Sequence, residues 1–146
     1  MSPRKRWLTL KSVMTPFPDS IDVNAPLSEA RRFLRARRIH HLPVVDGGDL
    51  VGIVSDRDIK LVLGPDFDYP PERELTVRDA YQPHAETLDL NAPAVRALEL
   101  MVDHHIGSVL VTRKGRLAGI FTCTDACRAF AQRLREEEPG PGDDAA

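Results

Sequence analysis

Apolar and polar positions along this chain pass through the same cycle twice. After the turn Asn24-Ala25-Pro26, Leu27, Ala30, Phe33, Leu34 and Arg37 recur at helical spacing. After the matching Asn91-Ala92-Pro93, Ala94, Ala97, Leu98, Leu100, Met101 and His104 do the same, with proline placed where a helix starts. Each helix is followed by a short run of strand type, Leu42 to Val45 and Ser108 to Thr112. A glycine-bearing turn follows, Asp46 to Asp49 in one half and Arg113 to Arg116 in the other. A second apolar run, Leu50 to Val54 or Leu117 to Phe121, then completes a hairpin. A closing helix is predicted from Asp58 to Leu63, stopped by Gly64-Pro65, and another from Asp125 to about Arg135. Ala126, Phe130 and Leu134 share one stripe of the second.

The two cycles are an internal repeat. Shifting the chain by 67 positions (Asp22 onto Asp89) aligns Thr9 through Asp58 with Thr76 through Asp125 without a gap. Asp22, Asn24, Ala25, Pro26, Gly52, Ile53 and Asp58 then meet identical residues, and Ile21/Leu88, Leu34/Met101 and Ser55/Thr122 meet conservative ones. A β-α-β-β-α unit of about 60 residues is too small to cover its own sheet. The expected fold is therefore α+β: tandem repeats, residues 8–64 and 76–135, with two sheets packed about a pseudo-twofold axis. Residues 65–75, with three prolines, read as a linker, and the acidic stretch 136–146 as a disordered tail.

Bulk composition narrows the function. Of 146 residues, 42% are hydrophobic and 29% charged, and 20 Lys and Arg face 22 Asp and Glu. The resulting net charge of −2 supplies no strong field for nucleic acid. No apolar run is long enough for a membrane span, and no signal-peptide pattern follows the basic start. A cytoplasmic protein is the expectation.

Chemistry concentrates at two strand-to-helix corners. Each hairpin ends in a glycine, two apolar residues, a hydroxyl, two variable positions and an aspartate: Gly52 to Asp58 and Gly119 to Asp125. A hydroxyl with an acid three residues later is also a capping box, which would serve only the helix end. The alternative is diol recognition, because a carboxylate accepts from both ribose hydroxyls at about 1.5–3 kcal/mol per charged hydrogen bond. The preceding glycine is expected to let a flat ring approach the backbone.

This order of elements, the paired corners and the stretch Ile39 to Asp46 resemble a pair of cystathionine-β-synthase (CBS) domains, over roughly residues 10–134. The resemblance implies two clefts between the repeats that bind AMP, ADP, ATP or an adenosyl compound as a regulatory ligand. Ser55 and Asp58 would hold one ribose, Thr122 and Asp125 the other. Adenine at the Thr122/Asp125 site would lean on Ala25, Ile39 and His40, and at the Ser55/Asp58 site on Ala92, Ile106 and Gly107. Ile53 and Ile120 would floor the two pockets. His40 and His41 fall where relatives carry phosphate-facing bases, whereas the equivalents Gly107 and Ser108 lack charge. The Thr122/Asp125 site is therefore expected to favour phosphorylated ligands, with affinity falling above about pH 6.5. The resemblance further implies a non-catalytic sensor that pairs into a flat homodimer and signals to an effector protein. Ala94, Leu98, Met101 and the closing helix are the contact candidates. A scaffold whose clefts stay empty is the competing reading.

Other features have simpler readings. Cys123 and Cys127, four apart, suit neither a redox pair nor zinc and should pack as small apolar side chains. Arg31, Arg32, Arg35, Arg37 and Arg38 read as a solvated helix face, with one or two reaching a phosphate. They lack the interleaved aromatics of a nucleic-acid surface. His40-His41 and His104-His105 lack a carboxylate spaced to complete a metal set. Ser55, His41 and Asp58 lack the nucleophile elbow of a hydrolase. Trp7 is left open between the sheet and a partner.

Overall fold

A computed structural model of the protein describes residues 8–64 and 75–137. The chain opens with a helical turn, α1 (Leu10–Val13), and a two-residue strand, β1 (Thr15–Pro16). The first repeat follows as β2 (Ile21–Asp22), α2 (Leu27–Arg37), β3 (His41–Asp46), β4 (Asp49–Ser55) and α3 (Asp56–Leu63). A 3-10 turn, Val77–Asp79, then precedes β5 (Thr87–Asp89), α4 (Ala94–His104), β6 (Ser108–Arg113), β7 (Arg116–Thr122) and α5 (Cys123–Glu137). The architecture is α+β, with five α-helices and two sheets among the described residues.

Local chemistry explains the matching elements. Pro26 and Pro93, at φ −58° and −60°, set the entries of α2 and α4. Leu27, Ala30 and Leu34 bury one face of α2, and Ala94, Ala97 and Met101 the same face of α4. Both helices end on a left-handed residue that is not glycine, Arg38 (φ 54°) and His105 (φ 53°). Both hairpins turn through two residues of positive φ, Gly47-Gly48 and Lys114-Gly115, which matches the twist of the strands.

The larger sheet joins strands from both repeats. One sheet runs β2-β3-β4; the other runs β1-β7-β6-β5, so a strand from the start of the chain edges the second repeat. Thr15 pairs with Ile120 and Pro16 with Gly119. Behind this strand, the Leu10 and Lys11 N–H groups donate to the Ala92 and Leu90 carbonyls, each at 2.9 Å. The linkage is reciprocal: Val77 and Arg78 donate to Ala25 and Val23, again at 2.9 Å. Leu10 is fully buried in the second core (with Met101, Val109, Val111 and Phe121), and Val77 in the first (with Leu27, Leu42, Val54 and Ile59). Burying such a side chain contributes roughly 1.5–3 kcal/mol. Each repeat therefore holds the other's opening segment, although the sequence repeats are contiguous.

Several expectations change at this level. The closing helices begin earlier, at Asp56 and Cys123, and the second runs to Glu137. Ser55 accepts from the Asp58 N–H as the cap of α3, which draws the first turn upstream of the aspartate. Phe130 is 64% exposed, and both cysteines are exposed. The face of α5 that carries Phe130 and Cys127 lines an open groove with Leu98, so it is not packed inside. Trp7 and most of the two segments read as linker and tail lie outside the described residues.

Candidate functional site

The exchange of opening segments builds a cleft at the second corner. A cavity of about 380 Å³ lies there, with Thr122, Asp125 and Ile120 from the second repeat on one side. Ile39, His40 and His41 from the first repeat form the facing wall, so these six predicted residues do converge. Thr15, Phe17, Pro18 and Asp19 close another side, and Pro43 and Arg128 complete it.

Asp125 is the buried acid of this cavity, 3% exposed. The Thr122 N–H donates to its Oδ2 at 2.9 Å and the Thr122 hydroxyl at 3.1 Å. Its Oδ1 accepts from the Thr15 hydroxyl at 2.8 Å, and the Arg128 Nη1 lies 3.3 Å away. A buried carboxylate must be satisfied in this manner. Oδ2 serves the corner itself, whereas the donors on Oδ1 come from exposed residues. Arg128 is 71% exposed and Thr15 sits on a two-residue edge strand. A ligand diol that replaced them would keep the carboxylate satisfied.

The first corner has the same internal geometry but a different neighbour. Ser55 and Asp58 form a reciprocal capping box, with the Ser55 N–H donating to Asp58 Oδ2 at 2.9 Å. Gln82, one repeat length from Thr15, donates through Nε2 to Asp58 Oδ1 at 3.2 Å. The Gln82 backbone also pairs with Ile53 in both directions. Gly107 lies against the His41 ring and its carbonyl accepts from Cys123, Ile106 packs on the second core, and Ser108 is buried opposite Thr122. Ala25, expected at the Thr122/Asp125 cavity, does not line it; its carbonyl receives Val77, as the Ala92 carbonyl receives Leu10.

The two corner glycines have a role other than the one expected. A methyl group at Gly52 would overlap the Gln82 carbonyl and stand 2.9 Å from the Tyr81 ring. One at Gly119 would overlap Met14 Sδ and stand 2.9 Å from the Thr15 carbonyl. Both glycines therefore admit the crossing segment of the other repeat, not a flat ring.

The histidines divide their work. His40 is exposed and its Nδ1 lies 2.9 Å from Asp56 Oδ2. Asp56 sits below the usual carboxylate range: partial burial raises it, but the His40 hydrogen bond and charge, the Arg57 N–H and Lys60 together outweigh that. Burial lowers the His41 pKa from 6.5, against the pull of Asp56 and Asp58, while His40 adds to the lowering. The folded state thus favours neutral His41, and the unfolded chain takes the proton first. His41 contributes stability that is complete above about pH 6.5 and lost as pH falls toward the lower folded value. Urea midpoints measured from pH 7 to pH 5 should fall less steeply in His41→Gln than in the unsubstituted protein. Equal slopes would remove His41 as the cause.

Sequence reasoning missed Thr15, Phe17 and Arg128, and had Arg38 only as one of five helix arginines of which one or two would reach a phosphate. Thr15 and Gln82 are visible as an unequal aligned pair, but nothing local shows that either crosses to the other repeat.

Two pseudo-symmetric halves, each packing the other's opening segment, leave a cleft with a buried carboxylate between them and define a two-repeat module. The CBS domain pattern matches residues 10–64 and 77–132, and the chain belongs to that family. It is 32% identical to a CBS domain-containing protein of Dictyostelium discoideum, over 89% of this chain and 96% of that one. It is 29% identical to hypoxic response protein 1 of Mycobacterium tuberculosis strain H37Rv, over 82% of this chain and 83% of that one. Among solved structures, it resembles a CBS domain pair in complex with 5′-methylthioadenosine and S-adenosyl-L-methionine. That match has TM-score 0.78 and 26% identity, and covers 88% of this chain and 99% of the other. No helix among the described residues is long and apolar enough to cross a membrane.

Proposed function

We propose that this chain is a regulatory sensor that binds an adenosyl ligand in the Thr122/Asp125 cleft and passes its occupancy to a partner. The observation that carries this reading is the cavity with a buried carboxylate whose outward oxygen accepts from exposed residues. The adenosyl ligands of the 26% identical CBS pair fit the same chemistry. Ribose hydroxyls replace Thr15 and Arg128 on Asp125 Oδ1. Purine faces meet Ile39, Pro43 and Ile120, with the exposed Phe17 ring at the rim. Arg38 supplies a cation for a phosphate or a sulfonium-linked carboxylate, with the His40 and His41 rings beside it. The first corner is the weaker of two sites for a phosphorylated ligand, because Gly107 and Ser108 stand where the other has His40 and His41. Ligand in a seam between halves biases their relative arrangement, which is the signal.

Calorimetry against AMP, ADP, ATP, NAD, S-adenosylmethionine and 5′-methylthioadenosine tests the sensor. At least one should bind, with stoichiometry tied to Asp125. Silence toward all of them would favour the scaffold reading, to which the fully satisfied capping boxes already lend support.

The module pairs through its second repeat. Leu98 and Phe130, 39% and 64% exposed, line an apolar groove of about 390 Å³ with Ala126, Cys127 and Ala129. Ala94 and Met101 instead spend most of their surface in the second core. Phe130→Glu should convert a dimer to a monomer in sedimentation velocity without lowering the unfolding midpoint appreciably. A dimer that persists in this variant would place the contact elsewhere.

A further inference from the structure

Among the described residues, left-handed backbone outside glycine occurs at Phe17, Arg38, His105 and Lys114. Three of these obey the pseudo-symmetry of the repeats. Arg38 and His105 end the matching helices α2 and α4, and Lys114 corresponds to Gly47 in the other hairpin turn. Phe17 (φ 46°) breaks it, because its equivalent, His84, is not left-handed. The conformation is unfavourable there on two counts. A side chain with a Cβ crowds the following carbonyl, and a residue that precedes proline, here Pro18, normally stays extended. The Phe17 N–H donates to the Ala118 carbonyl at 3.1 Å, which ties the strained residue to β7. The side chain is also unfavourably placed. It is 92% exposed, the most of any large apolar residue among those described, with Leu61 next at 74%. Yet Phe17 lines the Thr122/Asp125 cleft together with Ile39, Pro43 and Ile120. Backbone strain and an uncovered aromatic ring coincide at the mouth of a cavity, which is where strain serves a function.

We infer that Phe17 is a specificity-determining residue of the cleft: its ring turns in from the mouth and stacks on the planar base of the bound ligand. This rests on the adenosyl reading of the Thr122/Asp125 cleft. The left-handed backbone fixes the direction of the Cα–Cβ bond, and rotation about the side-chain torsions then brings the ring over the base. Stacking acts on the aromatic face of the base, so it favours a base-bearing ligand whatever its 5′ substituent. A residue kept for binding and not for packing makes fold stability and ligand affinity respond in opposite senses to one substitution.

Phe17→Asn tests this, because asparagine tolerates the left-handed region and so exposed a ring has little packing to lose. Without ligand, its urea midpoint should lie above that of the unsubstituted protein. In calorimetry it should bind 5′-methylthioadenosine and AMP each at least about fivefold more weakly, by the same factor for both. Phe17→Tyr, which keeps an aromatic face, should hold both affinities within about twofold. An asparagine variant that binds both compounds as the unsubstituted protein does, or that loses AMP alone, would overturn the inference and leave the adenosyl site standing. Weaker binding accompanied by a lower urea midpoint would also overturn it, because that pattern marks a structural residue. Failure of the unsubstituted protein to bind either compound would overturn both.

Discussion

Asp125→Asn is expected to fold and to bind its adenosyl ligand about 10–100-fold more weakly than the unsubstituted protein, the equivalent of roughly 1.5–3 kcal/mol for one charge-assisted hydrogen bond. The substitution keeps the volume of a side chain that is 3% exposed. It also leaves Thr122 Oγ1 at the start of α5, 3.4 Å from the residue 125 N–H. What it removes is the charge on the oxygen that faces Thr15 and Arg128. An amide presents one acceptor oxygen where the carboxylate presents two, so it cannot hold both the corner N–H and a diol. Calorimetry gives the affinity and circular dichroism checks the fold. Asp58→Asn serves as the internal comparison, and binding at the Thr122/Asp125 site should survive it. Equal loss in both variants would mean that the two corners act through general stability and not through a ribose.

Gly52→Ala should be the most damaging single methyl in the protein, costing about 3 kcal/mol, at the upper end for overpacking. The added carbon overlaps a backbone carbonyl, that of Gln82, which cannot swing aside as a side chain does. Relief requires the crossing segment to lift, breaking the reciprocal Ile53–Gln82 hydrogen bonds at 3.1 and 2.7 Å. Gly119→Ala should cost less, because the flexible Met14 thioether takes up part of the overlap, although the Thr15 carbonyl remains 2.9 Å away. Gly48→Ala, in open space at φ 91°, should cost only about 1 kcal/mol of backbone strain. Urea denaturation of the three proteins gives the order directly. A Gly52→Ala protein as stable as Gly48→Ala would mean that the crossing segment is not held there.

The elements legible from the sequence were those written in local periodicity. The helices α2 and α4, both hairpins and both corners occur where spacing, Asn-Ala-Pro turns and glycine pairs place them. The exchange of opening segments was illegible because it is a pairing between distant parts of the chain. Leu10 and Val77 are plain apolar residues in aligned positions, and only the fold shows that each enters the other's core. The same exchange changes the part that two residue pairs play and brings a third pair into the site. Gly52 and Gly119 clear the crossing backbone, Ala25 and Ala92 receive it, and Thr15 and Gln82 set how each aspartate is occupied. The expected packing of Cys127 fails because a helical stripe does not reveal whether the covering surface belongs to the same chain; Cys127 and Phe130 line an open groove.

The account stands on what meets the outward oxygen of Asp125. A crystal grown with saturating 5′-methylthioadenosine or ATP should show both ribose hydroxyls at about 2.6–3.0 Å from the Asp125 carboxylate, with Thr15 displaced from Oδ1. Such a crystal with the Thr15–Asp125 hydrogen bond intact at 2.8 Å and no nucleoside in the seam would contradict it.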